Sequence, residues 1–133
     1  MLEVIIVDDD QIVVSIQKKM ISNHEIASNP VCFNKADAAL NYLDEQQNKK
    51  QFLIFLDINM PNMNGWDFLD CLENNEQKSN YHVVMVTSSI NKEDKEEAKK
   101  YSMVRLFIEK PIRSSDCEKV KEISEISHFF ERV

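Results

Sequence analysis

Four short polar clusters hold the side chains with the widest chemical reach. Asp8, Asp9 and Asp10 follow the apolar run VIIV at 4–7, and Asp57 follows FLIFL at 52–56. Thr87, Ser88 and Ser89 follow VVMV at 83–86, and Lys110 and Pro111 come just after LFI at 106–108. Taken singly, Asp and Ser are ordinary turn and cap formers. Gathered at one partly desolvated edge, several carboxylates would repel one another and drive their pKa values up, unless a cation compensates. All-oxygen donors suit Mg²⁺ or a similar hard divalent ion rather than Zn²⁺. A carboxylate can also act as a nucleophile and form an acyl phosphate. A metal and a lysine then stabilise charge on the transferring oxygens, and a hydroxyl can hydrogen-bond the attached group.

The elements that would gather these residues can be read from the pattern between them. The apolar runs, with a weaker PVCF at 30–33, are rich in β-branched and aromatic residues, as strands buried on both faces tend to be. Helical spacing separates them. Ile12, Ile16 and Met20 recur every four residues, Ala36, Ala39, Leu40 and Leu43 form a second stripe, and Trp66, Leu69 and Leu72 a third. The segment from Asn91 offers little apolar surface beyond Ala98 and Tyr101 and reads as a solvated helix supported by pairs such as Glu96 with Lys100. The last stretch opens with a capping-box pattern from Ser115 to Glu118 and continues with Val120, Ile123, Ile126 and Phe130 on one side. Five strands alternating with five helices imply right-handed crossovers and a parallel sheet covered on both faces. In such sheets ligands bind at the carboxyl ends of the strands, where all four clusters fall.

Composition narrows the function classes. The 133 residues suit one domain, spanning 1–133, with no repeat or linker. A net charge of −7 disfavours nucleic acid and anionic lipid as partners. The longest apolar run, at 52–56, is far short of a membrane span, and no signal peptide is visible. Cys32, Cys71 and Cys117 lack a CxxC pair and read as reduced thiols, which points to the cytoplasm. His24, His82 and His128 show no ligand spacing, no Ser-His-Asp arrangement is evident, and a single glycine rules out a Gly-rich phosphate loop. Trp66, Phe52 and Phe55 read as core, and Gly65 as a loop former with room for positive φ.

The segments VIIVDDD, LIFLDINMPNMNGWDFL, VVMVTSS and FIEKP resemble, in order and spacing, the signatures of response-regulator receiver domains, over nearly the whole chain. The resemblance implies a flavodoxin-like, doubly wound five-stranded sheet of order 2-1-3-4-5 with five helices. It implies Asp57 as phosphoacceptor, Asp9 as direct Mg²⁺ ligand, Asp8 as an acid acting mainly through water, and the backbone carbonyl of Asn59 as third protein ligand. Asp10 is left open between a ligand role and none. Lys110 resembles the phosphoryl-contacting lysine, its bond to Pro111 is similar to one that is cis in the family, Thr87 resembles the switch hydroxyl, and Phe107 the aromatic that turns with it. Phe107 has no phenol, so switching through it depends on packing. YSMVRLF lacks the small pair often found before the last strand, and Ser88 is slightly larger than the usual alanine.

The function so implied is a two-component or phosphorelay switch. It takes a phosphoryl group from a histidine kinase or histidine phosphotransfer protein, with Mg²⁺, and changes a surface read by a downstream protein. The expected signalling face combines the 92–100 helix, the fifth strand and the helix starting near Ser115. No DNA-binding or enzymatic output module is expected with it, and the chain is expected to catalyse only its own phosphorylation and dephosphorylation. Two other classes compete. An aspartyl-phosphate phosphatase needs a second acid two residues after the nucleophile, where this chain has Asn59. A flavodoxin-like electron carrier needs a hydroxyl- and glycine-rich first loop, where this chain has three aspartates.

Overall fold

The computed structural model describes residues 1–46, 50–88 and 91–131. Its apolar runs become five strands, β1 (Leu2–Val7), β2 (Val31–Phe33), β3 (Gln51–Asp57), β4 (Tyr81–Thr87) and β5 (Val104–Glu109). All neighbouring pairs are parallel, in the order β2-β1-β3-β4-β5. Five α-helices connect or follow them: α1 (Gln11–Asn23), α2 (Ala36–Asp44), α3 (Gly65–Glu73), α4 (Lys92–Ala98) and α5 (Ser114–Lys121). The parallel sheet covered on both faces is that expected from the alternation, and its doubly wound order is that implied by the resemblance.

Strand period and helix placement together make two cores. Ile5, Val7, Phe52, Ile54 and Leu56 face the layer that holds Ala39, Leu43, Phe68, Leu69 and Leu72 of α2 and α3. Val4, Ile6, Leu53 and Phe55 face the opposite layer, with Ile21 of α1 and Cys117 and Val120 of α5. Consecutive strand residues point to opposite faces, so a strand covered on both sides must be apolar throughout, and FLIFL is.

Several local expectations shift. On α1 the buried residues are Gln17 and Ile21, whereas Ile12 and Ile16 lie in solvent and Met20 is half-buried. Apolar residues at 12, 13, 14, 16, 20 and 21 support two overlapping stripes, so spacing alone does not set the rotation of this helix. Trp66 is half-buried at the rim, stacked on Tyr101 at 6.2 Å, and Phe68 takes the core position on α3. On α4 the pairs are Glu96 with Lys99 and Glu97 with Lys100, three residues apart rather than four. The last helix starts at Ser114, where Asp116 accepts the Arg113 N–H at 2.9 Å, so the expected box at Ser115 and Glu118 does not form. It stops at Lys121. Ile123 and Ile126 reach the core from the turns beyond it, and a short 3₁₀ turn follows at Ser127–Phe129. Of the described residues none is a helix long and apolar enough to cross a membrane, and Cys32, Cys71 and Cys117 are free thiols.

Candidate functional site

Parallel register places the ends of β1 and β3 side by side. Val7 pairs with Leu56, so Asp8 and Asp57 emerge as neighbours, each one residue further on. The Asp8 N–H is held by Phe33 O at 3.0 Å, which extends the β1–β2 ladder to the carboxylate itself. Asp57 pairs with Val86 of β4, and Thr87 with Glu109 of β5. The next residue, Lys110, donates its N–H to Thr87 O at 2.7 Å, and its bond to Pro111 is cis, as the resemblance implied. Asp57, Asp8 and Thr87 are all buried.

The ammonium of Lys110 joins the ends of β1 and β3. Its Nζ lies 2.9 Å from Asp8 Oδ2 and 3.2 Å from Asp57 Oδ1. Burial and the charge of Asp8 raise the pKa of Asp57, while Lys110 and the Asn59 N–H, 3.4 Å from Oδ1, oppose the rise. Burial pulls the Lys110 pKa down, but the two carboxylates outweigh it and hold the ammonium above its ordinary value.

Oxygens of Asp8, Asp9 and Asp57 all lie within 4.8 Å of one another, with Asp9 exposed and the other two buried. Such a set of hard donors at this spacing fits a small divalent cation such as Mg²⁺. Asp10 stands apart from the set. Its Oδ1 accepts the N–H groups of Ile12 at 2.9 Å and Val13 at 3.3 Å, so it caps α1. Its own N–H donates to Asp8 Oδ1 at 2.9 Å, which helps to orient that carboxylate. The alternation of strands could not separate three consecutive aspartates, whereas the cap does.

Gly65 belongs to the site for a reason other than the one expected. Its φ is not positive. A side chain there would place Cβ 2.7 Å from Asp57 O and 2.9 Å from Ile58 Cα, so α3 can begin against the end of β3 only with glycine at this position. The Gly65 N–H bonds Ile58 O at 2.8 Å. The left-handed residue of this loop is Asn62, at φ 68°.

The remaining expected residues fall nearby or apart. Asn59 is exposed directly after the buried Ile58, and Ser88 is exposed beyond Thr87, while Ser89 lies outside the described residues. Phe107 is half-buried two positions before Glu109, in a groove with Lys95 and Ala98 of α4 and Lys99 just after it. Outside the acidic cluster, His24 meets Ser114 Oγ at 3.1 Å and Glu118 Oε1 at 3.4 Å. That Ser-His-carboxylate contact joins the end of α1 to the start of α5 on the surface, where sequence spacing gave no sign of it.

Sequence reading also passed over the opposite end of the sheet. His82, in β4, donates from Nε2 to Gln51 Oε1 at 2.7 Å, and its Nδ1 accepts from Arg105 Nε at 3.3 Å. Arg105 is the extra residue of a bulge in β5, since Val104 pairs with Val83 and Leu106 with Val84. Its Nη1 lies 3.2 Å from Glu125 Oε2 beyond α5.

The receiver domain of response regulators matches residues 4–121. A two-component response regulator from Cytophaga hutchinsonii superposes with a TM-score of 0.85 at 24% identity, over 96% of this chain and 98% of that one. A two-component response regulator from Legionella pneumophila gives 0.73 at 26%, over 92% and 97%. The chemotaxis response regulator CheY4 of Vibrio cholerae gives 0.69 at 26%, again over 92% and 97%. No protein of curated function matches the sequence. The family match spans most of the chain, and the superpositions cover nearly all of its fold, so this chain belongs to the response regulator receiver domain family.

Proposed function

We propose that this domain is a phosphorylation-controlled switch that accepts a phosphoryl group on Asp57. The observation that carries the reading is the joint approach of Lys110 and two further carboxylates to a buried strand-end aspartate. An Asp57 oxygen attacks the phosphorus of a phosphohistidine. The new O–P bond forms as the donor's N–P bond breaks, and the electron pair departs with the imidazole. Asp57 must be ionised to attack, and Lys110 favours that form against burial and Asp8. Asp8, Asp9, Asp57 and the Asn59 backbone would hold Mg²⁺, which when bound would neutralise charge on the phosphoryl oxygens. Thr87 sits at the adjoining strand end to meet the attached group, and Phe107 lies two residues from its register partner, so a shift of Thr87 can repack the groove beside α4. The donor is a histidine kinase or histidine phosphotransfer protein, and the reader of the altered face is a protein. The phosphatase reading is disfavoured because position 59 carries the neutral amide of asparagine where that chemistry requires an acid.

Intact mass after incubation with acetyl phosphate and Mg²⁺ tests the assignment. One phosphoryl group should be gained only with the divalent ion present. Asp57→Asn should abolish the gain and Asp67→Asn, in the first turn of α3, should not. Equal modification of the Asp57→Asn protein would sink the assignment.

A further inference from the structure

A second set of side chains has the geometry of a reactive group. His24 stands between Ser114 and Glu118, with Nε2 3.1 Å from Ser114 Oγ and Nδ1 3.4 Å from Glu118 Oε1. An ionised carboxylate only accepts, so Nδ1 carries the hydrogen shared with Glu118, and Nε2 is left to accept the Ser114 hydroxyl hydrogen. That is the relation of nucleophile, base and orienting carboxylate, which is recognised by geometry rather than by order in the chain. The Glu118 contact is longer than a tight hydrogen bond, as catalytic contacts often are before substrate binds.

The fold holds these groups on rigid elements. Glu118 follows Ser114 by four residues on α5, so the two side chains share one face of that helix. His24 caps the end of α1, with its own N–H bonded to Met20 O at 3.0 Å. One turn earlier, Ile21 packs in the same core as Cys117 and Val120, and all three are fully buried, so the end of α1 and α5 are locked together. Ser114 also opens α5, and its N–H and that of Ser115 bond no acceptor among the described residues. Free first-turn N–H groups carry the positive end of the helix dipole and can meet an oxyanion formed on a carbonyl joined to Ser114.

We propose that Ser114, His24 and Glu118 form a serine nucleophile site that takes the acyl group of small activated esters, an activity separate from phosphoryl transfer to Asp57. Ser114 Oγ bonds to the carbonyl carbon as its proton passes to His24 Nε2. The ester C–O bond then breaks, and the departing oxygen leaves with the electron pair and takes that proton. Glu118, a positioning residue, holds Nδ1–H and steadies the imidazolium between the two steps. Water attacks the acyl-serine in the same way and releases a carboxylic acid, with a proton returned to Ser114 Oγ. Ser114 and Glu118 are exposed and His24 is half-buried, so the site takes a compact donor with a good leaving group rather than one that needs enclosure.

The full chain incubated with p-nitrophenyl acetate, without phosphate donor or Mg²⁺, tests the site independently of Asp57. The parent should release p-nitrophenolate in a burst and gain one acetyl group, which peptide mapping should place on Ser114. Ser114→Ala should abolish the burst, and His24→Gln should slow it about a hundredfold, the low end of general-base effects. Glu118→Gln should slow acylation about tenfold at an unchanged burst amplitude, in step with a loss of the Nδ1–H tautomer of His24 in ¹⁵N spectra. A contact that only tethers the two helices would change melting and leave these rates alone. A parent without a burst, acetyl groups found on lysines with Ser114 unmodified, or a His24→Gln protein acylated at Ser114 as fast as the parent would each overturn the proposal.

Discussion

The ammonium of Lys110 lies 3.2 Å from Oδ1 of Asp57, and the same nitrogen reaches Asp8 at 2.9 Å, so one cation joins the ends of three strands. Removing it leaves two buried carboxylates facing each other. Breaking a buried pair by deleting one partner typically costs about 3–5 kcal/mol. Lys110→Met should lose stability toward the lower end of that range at about pH 7 in chelator. Asp57 has a raised folded pKa, so it favours the folded state as pH falls, and the deficit should narrow toward about pH 5. Urea midpoints at the two pH values check this, and a deficit that widens in acid would contradict it.

Asp9 and Asp10 are adjacent but do different work. Asp10→Ala should cost about 1 kcal/mol through loss of the α1 cap, and should leave the Mg²⁺ response of the melting temperature intact. Asp9→Asn should be neutral or stabilising in chelator, since it relieves like-charge repulsion. It should also abolish the Mg²⁺ gain, which for the parent is about 2.7 kcal/mol at a hundredfold excess over Kd. Thermal melts with chelator and with Mg²⁺ distinguish the two.

Gly65→Ala should destabilise by about 1–3 kcal/mol, because the new methyl group overlaps backbone rather than a movable side chain. The displaced backbone is that of Asp57 and Ile58, so modification by acetyl phosphate should slow as well. A variant with unchanged urea midpoint and unchanged mass-gain kinetics would show that α3 can move away without cost.

His82 supplies a pH signature remote from the acidic cluster. Burial, and then the charge of Arg105, lower its pKa to about 4 against an ordinary 6.5, although Glu125 pulls the other way. The unfolded chain thus binds a proton that the folded one refuses, and stability falls as pH drops through that window. The loss is about 3 kcal/mol at most. His82→Gln should flatten the dependence of the urea midpoint on pH between about 6.5 and 4.5. An unaltered slope would place the acid sensitivity elsewhere.

The strands and the acidic cluster were legible because they depend on composition that burial on both faces dictates. VIIV and VVMV could only be interior strands, and the residues after them could only meet at one edge of a parallel sheet. Tyr81 and His82 were missed as the start of β4 because a buried histidine is tolerated there only through Gln51 and Arg105, partners remote in sequence. The rotation of α1 was hidden by an excess of apolar residues around its circumference. The end of α5 was hidden because Ile123 and Ile126 keep helical spacing while the chain has already left the helix.

That departure bears on how the domain could be grafted. The family pattern ends at residue 121, yet Ile126 beyond it is fully buried and Phe129 and Phe130 pack on the layer formed by Val4, Ile6 and Phe55. Glu125, in the same stretch, holds Arg105 in the bulge of β5. A chimera joined at Lys121 would discard part of its own interior and free an arginine beside a buried histidine. Junctions meant to transplant this receiver as a working unit belong after Phe130, and partners exchanged with another member at α5 must carry their own terminal turn with them.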